Sequence, residues 1–184
     1  MRRYVALLRG INVGGNTMIK MEELRALFEA LRFENVASYI NSGNLAFDVV
    51  SSPHVSKSPT PDLTLADQIE SAIQKTFGKA VPVMVRDQPH IQTVLDSNPF
   101  AGQFESHKEM HVLFLKAEMP ADKQNELLAN QTKDERFAIV GREIYCHLKL
   151  GVAESLLGRG LIEKKLKIAV TARNWRTVQR LAEL

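Results

Sequence analysis

Three short stretches of this sequence contain residue types that could bind an anion. In GINVGGNT (10–17), the backbone N–H groups of Gly14 and Gly15 could surround a phosphate. NSGN (41–44) offers amide side chains and a hydroxyl, and TARNWRT (171–177) adds two guanidinium groups. All of these groups donate hydrogen bonds. Together the three stretches predict recognition of a polar, phosphate-bearing ligand.

The stretch 10–17 differs from a nucleotide-hydrolysing loop. Its spacing approaches G-x-x-x-x-G-K-[ST], but Asn16 stands where the phosphate-binding lysine is needed. Residues 18–20 also intervene before the next helix. Nucleotide hydrolysis is therefore not predicted. An anion-binding nest remains open beside a simpler interpretation, which is a strand-to-helix turn that needs positive φ angles.

The stretch TARNWRT raises an electrostatic question. Thr171 is a good N-cap residue, so the sequence predicts Ala172, Arg173 and Asn174 in the first turn of a terminal helix. A cation in that turn is unfavourable by about 0.3–1 kcal/mol because of the helix dipole. Either a bound anion or an internal salt bridge, with Trp175 as a core anchor, would compensate for it. Both alternatives stay open.

The candidate ligand- or anion-binding residues are those that carry polar donors or glycine backbone within or beside these stretches. They are Arg9, Asn12, Gly14, Gly15, Asn16, Asn41, Ser42, Gly43, Asn44, Arg173, Asn174 and Arg176.

Other reactive residue types give no recognisable site. His107 and His111 could share a face, but no third ligand is evident, so no metal is predicted. Cys146 alternates with Ile144 and Leu148 on a strand, which is typical of a core residue. No arrangement of nucleophile and base can be read from spacing. The sequence therefore predicts no cofactor and leaves open whether the protein is an enzyme.

Composition and charge limit the class of protein. The 184 residues fit one domain or two small halves. No apolar run approaches the roughly 18–20 residues of a membrane span, and the start is too short for a signal peptide. Together with the single cysteine, this predicts a cytoplasmic protein without a membrane partner. Residues 159–184 carry a net charge of +5, whereas the whole chain carries +3. This local basic excess favours nucleic acid or another phosphate-bearing partner.

Hydrophobic periodicity predicts a repeated order of elements. Strands at 3–10, 37–50 (two strands around a turn) and 80–86 alternate with helices at 21–33 and 65–77, the latter with a capping box of Thr64 and Asp67. The Ser/Pro-rich segment 51–62 is predicted to be a mobile loop. This order is β-α-β-β-α-β. In such a topology the loop after the first strand and the hairpin tip lie at the same end of the sheet.

The second half repeats that order. Strands at 110–117, 136–141 and 143–150, with helices at 120–131 and 153–167, lead to the terminal helix. We therefore predict an α+β protein of two ferredoxin-like halves packed together, with a C-terminal helix. The N-terminal half is placed at 1–87. The C-terminal half, with the terminal basic helix, is placed at 88–184.

Three segments together resemble the domain-of-unknown-function 1697 family. They are YVALLRGINVGGN, MEELRALFEALRFENVASYINSGNLAFD and TARNWRTVQRLAEL. The resemblance supports the fold and implies no established biochemical function. Two features differ from the family pattern: Asn16 replaces a frequent lysine after GINVGG, and the loop 51–62 is longer than usual.

Two main functions follow from these patterns. The first is a binding module for nucleic acid or another phosphate-bearing ligand, which the basic C-terminal segment favours. The alternative is a small-molecule enzyme or ligand-binding protein with a site between the loops 10–17 and 41–44. There, Arg9 or Arg173 would neutralise the ligand's charge. A purely structural or protein-interaction role is a third possibility.

Overall fold

The computed structural model describes residues 1–15, 17–50 and 58–184, which form two compact units. Unit 1 comprises Met1–Gln92 with Arg180–Leu184, and unit 2 comprises Thr93–Gln179. Each unit contains a four-stranded antiparallel sheet and helices. The predicted α+β class is confirmed. No helix in the described part of the chain is both long and apolar enough to cross a membrane.

Unit 1 has the order that the sequence predicts. Its elements are β1 (Arg2–Leu8), α1 (Met21–Ala30), β2 (Glu34–Ser38), β3 (Asn44–Val49), α2 (Pro61–Phe77), β4 (Val83–Asp87) and the first part of α3 (Gln88–Asp96). The sheet order is β2-β3-β1-β4, and all neighbouring strands are antiparallel. This is the strand arrangement of a split β-α-β unit.

Unit 2 repeats the arrangement. Its elements are β5 (Met110–Leu115), α4 (Ala121–Ala129), β6 (Glu135–Val140), β7 (Glu143–Leu148), α5 (Leu161–Leu166), β8 (Val170–Asn174) and most of α6 (Trp175–Glu183). The sheet order is β6-β7-β5-β8. The predicted C-terminal helix is α6.

The core of unit 1 follows the alternation of strands and the period of helices. Tyr4, Ala6 and Leu8 point to one face of the sheet, since strand side chains alternate. There they join buried residues of α1 and α2. Phe47 packs edge-to-face on Phe28, with ring centroids 5.2 Å apart. These contacts fix β1, and with it the start of the glycine-rich loop.

The core of unit 2 contains Cys146. The thiol is fully buried beside Leu113, Phe137 and Ile144, so the prediction of a core cysteine is confirmed. Burial raises the pKa of this thiol. Cys146 is therefore a packing residue and not a nucleophile.

Helix α2 begins earlier than predicted. Its N-cap is Thr60 and Pro61 occupies the first turn, where a missing N–H has no cost. Thr64 lies within the helix and its hydroxyl donates to the Thr60 carbonyl, so the predicted capping box is wrong. Of the predicted mobile loop 51–62, residues 51–57 lie outside the described residues. Residues 61 and 62 are helical.

The local pattern assigned the first four residues of TARNWRT to the wrong element, whereas residues 175–177 are helical as predicted. Thr171 is a strand residue that pairs with Phe114, and β8 continues to Asn174 opposite His111. The helix begins at Trp175, and the Asn174 side chain accepts a hydrogen bond from the Thr177 N–H at 2.9 Å. Pairing with β5 thus outweighs the N-cap preference of Thr171, and Asn174 caps the helix instead.

A shared local motif links β4 to α3 and β8 to α6. Arg86 and Arg173 are the fourth residues of their strands, and both are buried. Each donates from Nη1 to the carbonyl of the preceding residue, at 2.9 and 2.8 Å. The next residues, Asp87 and Asn174, each accept a hydrogen bond from the backbone N–H three positions later. The two units therefore repeat a strand-to-helix turn as well as a sheet order.

Candidate functional site

The two loops proposed for unit 1 do meet, and the side chain of Asn12 joins them. Its Nδ2 donates to the carbonyl of Ile19 and to that of Asn41, both at 2.8 Å. Its Oδ1 accepts a hydrogen bond from the Ile19 N–H at 2.9 Å. Asn12 has a φ of 55°, a conformation that asparagine tolerates well. This amide closes the glycine-rich loop and attaches it to the hairpin.

The hairpin 39–44 is held by similar contacts. Asn44 is fully buried, and its Nδ2 donates to the carbonyl of Tyr39 at 3.0 Å and to the hydroxyl of Ser42 at 3.1 Å. The carbonyl of Gly43 accepts a hydrogen bond from the Leu8 N–H at 2.8 Å. The donors that suggested a ligand here position the backbone of the two loops.

The remaining candidates of unit 1 lie at the edge of this loop cluster. Gly14 and Gly15 are exposed and have positive φ angles of 64° and 78°. Arg9 is partly buried, and its N–H donates to the Pro82 carbonyl at 2.9 Å. Asn16 lies outside the described residues. Anion binding by this cluster stays a prediction.

Arg173, Asn174 and Arg176 belong to unit 2. The Arg173 guanidinium is buried, and Nη1 donates to the Thr171 hydroxyl at 2.7 Å. Burial lowers the pKa of Arg173 to about 10. Arg176 is exposed on α6. The proposed placement of Arg173 in a helical first turn is wrong because the residue lies in β8.

A polar groove in unit 2 is lined by cations, carboxylates and a histidine, residue types that the loops 10–17 and 41–44 of unit 1 do not contain. It is an open groove with a volume of about 560 Å³ at the end of the sheet where β5 and β6 begin and β7 ends. This polar groove is lined by Gln103, Glu105, Glu109, Lys133, Arg136, His147 and Lys149.

Arg136, the arginine of the polar groove, belongs to the hairpin of β6 and β7. Arg136 lies opposite His147 in the strand register, and its guanidinium is 4.9 Å from the centre of the Phe100 ring. Nη1 of Arg136 donates to Gln103 Oε1 at 2.8 Å. Stacking and this hydrogen bond hold the guanidinium in place.

The two lysines of the polar groove lie on either side of a short backbone bridge. The N–H of Lys149 donates to the Asp134 carbonyl at 2.9 Å. The Thr132 hydroxyl accepts hydrogen bonds from the N–H groups of Asp134 and Glu135, at 3.2 and 3.0 Å. These bonds order the turn that carries Lys133.

A histidine and a carboxylate also line the polar groove. The His147 side chain is 10% exposed, and its Nε2 lies 3.9 Å from Glu109 Oε2, too far for a hydrogen bond. Nε2 has no hydrogen-bond partner among the described residues. Glu109 Oε1 accepts a hydrogen bond from the Ser106 N–H at 3.1 Å, which fixes the carboxylate.

The sequence contained a signal for part of this groove. A two-residue turn at Gly141 and Arg142 places residue 136 opposite residue 147, as observed. Lys133 and Lys149 then fall at the open end of the same hairpin. Glu109 and Gln103 come from the irregular segment before β5, whose path has no hydrophobic period.

The family model described as Protein of unknown function (DUF1697) matches residues 1–145. The chain belongs to this family. The matched range includes the loops 10–17 and 41–44, whereas TARNWRT lies beyond it.

A comparison with solved structures supports the fold. The conserved bacterial protein SP0830 from Streptococcus pneumoniae is similar, with a TM-score of 0.77 and 23% sequence identity. The match covers 99% of this chain and 97% of that one. Such a likeness shows the fold alone. No curated protein matches the chain.

Metal-binding side chains do not cluster in the described ranges, which contain no group of three or more such residues that could hold an ion. His111 is instead a partly buried residue of β5, and its buried Nδ1 has no hydrogen-bond partner among the described residues. Burial, followed by the nearby charge of His107, lowers the pKa of His111 from 6.5 to about 4.

The stability of unit 2 should therefore fall in mild acid. The unfolded chain protonates His111 below about pH 6.5 and the folded chain only near pH 4, so the unfolded state binds more protons between these values. We expect His111 to account for a loss of about 2 kcal/mol between pH 7 and pH 5. Denaturant melts of the wild type and of His111→Gln at both pH values measure this loss of unfolding free energy. An equal loss in the variant would contradict this assignment.

Proposed function

We propose that the protein binds a small phosphate-bearing ligand in the polar groove of unit 2. The observation that carries this proposal is the convergence of Lys133, Arg136 and Lys149 on a groove of about 560 Å³. Volumes of about 300–1,000 Å³ are typical of small-molecule sites. Three cations at the mouth of such a groove favour an anion, and phosphate accepts hydrogen bonds from all of them.

Arg136 would be the principal phosphate contact. Its guanidinium stacks on Phe100 and is tied to Gln103. A side chain that is already ordered loses little conformational entropy when a ligand binds. Its planar fork also matches two phosphate oxygens, whereas each lysine provides a point charge.

The lining favours a small ligand over nucleic acid. Glu105 and Glu109 share the groove with the three cations, and these carboxylates would repel a long polyanion. The basic excess of the C-terminal segment, which suggested nucleic acid, includes Arg173, and that side chain is buried. A site of mixed charge suits a ligand with one phosphate group.

A titration of the whole protein with inorganic phosphate tests the proposal. At constant ionic strength, we expect saturable binding by calorimetry and a loss of at least about tenfold in affinity for Arg136→Met, which keeps the aliphatic stem but removes the donors. Arg159→Met is the matched control, because Arg159 is exposed in unit 2 but does not line the groove. Both variants should melt like the wild type.

Three outcomes would contradict the proposed phosphate site in the polar groove. The first is a failure of phosphate to saturate a site, and the second is equal affinity of the two variants for phosphate. In the third, a short single-stranded RNA would bind more tightly than phosphate and lose that affinity in Arg136→Met, which would favour nucleic acid at the same surface.

A further inference from the structure

We infer that the ligand of the polar groove is a phosphate ester that also carries hydroxyl groups, such as the phosphate of a sugar or another polyol. This inference rests on the proposed function. It follows from the part of the groove that does not suit phosphate, namely the Glu109 carboxylate, whose Oε2 lies 3.9 Å from His147 Nε2.

Glu109 requires a hydrogen-bond donor on the ligand. Its carboxylate is held through Oε1 by the Ser106 N–H, so Oε2 keeps its position near His147. An ionised carboxylate only accepts hydrogen bonds, and a phosphate dianion also only accepts them. The two groups therefore repel each other. A ligand that fills the groove beside Glu109 needs a hydroxyl or an ammonium group there.

The charges of the groove favour a hydroxyl over an ammonium group. Lys133, Arg136 and Lys149 would repel a second cation, but a neutral hydroxyl meets no such repulsion. A hydroxyl can also both donate and accept. It can donate to Glu109 Oε2 while its oxygen accepts from one of the cations that line the same groove. An ammonium group has donors only.

The phosphate and the hydroxyl positions are close enough for one small molecule. Arg136 and His147 are directly opposite residues of β6 and β7. Side chains in such pairs start about 4.5–5.5 Å apart. The Arg136 guanidinium and the His147 ring also both contact the Phe100 ring, with centres 4.9 and 5.7 Å from the centre of that ring. A phosphate on Arg136 and a hydroxyl on Glu109 Oε2 therefore fit within one small molecule, as in a polyol of three to six carbons.

Binding of three phosphate esters to the full chain tests this inference. Glycerol 3-phosphate and propyl phosphate share a three-carbon chain and differ in their hydroxyls, and O-phosphoethanolamine supplies an ammonium group instead. We expect glycerol 3-phosphate to bind at least about tenfold more tightly than propyl phosphate. In Glu109→Leu this difference should disappear, while propyl phosphate binds at least as well as before. Glu118→Leu, an exposed position outside the groove, should keep the difference.

The outcomes separate this inference from the proposed function. Equal binding of glycerol 3-phosphate and propyl phosphate to the wild type would overturn the hydroxyl requirement and leave the phosphate site intact. Tightest binding of O-phosphoethanolamine would also overturn it, in favour of an aminated ligand. Absence of binding by all three esters and by inorganic phosphate would overturn both proposals. Persistence of the preference in Glu109→Leu would show that Glu109 does not select the hydroxyl.

Discussion

Replacement of Arg173 by alanine will destabilise unit 2 by about 3 kcal/mol or more, whereas Arg176→Ala will have almost no effect. The Arg173 side chain is buried, and Nη1 donates to the Thr171 hydroxyl and to the Ala172 carbonyl. Its removal takes a donor from the buried Thr171 hydroxyl and from the partly buried Ala172 carbonyl, at about 1–3 kcal/mol, and removes a large buried side chain, which adds the cost of a cavity. Arg176 is two residues beyond the strand and exposed.

The fluorescence of Trp175 reports this unfolding directly. It is the only tryptophan of the chain, and it packs edge-to-face on Phe104 within unit 2, with ring centroids 5.9 Å apart. Urea melts should give the same loss for Arg173→Ala in phosphate and in chloride at matched ionic strength. A loss that appears only in phosphate would mean that Arg173 serves a bound anion. Similar stability of the two variants would contradict the structural role.

The order of elements and the class of fold could be predicted because both depend on short-range patterns. Alternation in β1 and the 3.6-residue period in α1 are visible in the sequence, and each pattern corresponds to a face that the structure buries. The meeting of the two loops of unit 1 also followed from topology. A loop after the first strand and a hairpin tip lie at one end of this kind of sheet, and Asn12 joins them there.

The assignment of Thr171 failed because strand pairing is not local information. Nothing within TARNWRT indicates that its first residues continue a ladder with β5, and the N-cap preference of threonine amounts to only about 1 kcal/mol. The capping box at Thr64 failed for the same kind of reason. Pro61 began the helix one turn earlier, although the pattern at Thr64 was acceptable.

The polar groove could be predicted only in part. Its hairpin cations follow from the strand register once the turn at 141–142 is recognised. The position of Glu109 depends on tertiary contacts, since its backbone carbonyl accepts from the Leu148 N–H at 2.7 Å. That contact joins two segments far apart in the chain. No spacing rule connects Glu109 to His147, so a site that combines them emerges only from the fold.

Replacement of Gly43 by alanine will destabilise unit 1 by about 3 kcal/mol or more, a larger effect than at another glycine with a similar backbone angle. A Cβ at Gly43 would lie 2.7 Å from Leu8 Cβ and 3.0 Å from two side-chain carbons of Ile11. Leu8 and Ile11 are fully buried, and Leu8 is tied through its N–H to the Gly43 carbonyl. Neither can move without disturbing the core, so the cost of overpacking, about 1–3 kcal/mol, adds to that of a non-glycine residue at φ +80°.

Gly78→Ala is the matched control, because Gly78 also belongs to unit 1 and has a φ of 68°, but a Cβ there meets nothing within 4 Å. Replacement of Gly78 by alanine costs only the free energy of holding a non-glycine residue at a positive φ, about 1 kcal/mol. Hydrogen exchange of the Leu8 amide gives a local measure of the difference, since this N–H is bonded to Gly43 itself. Faster exchange in Gly43→Ala than in Gly78→Ala is expected. Equal protection in the two variants would mean that the hairpin moves away from β1 to admit the methyl group, and that the contact between Gly43 and Leu8 does not fix the loop cluster.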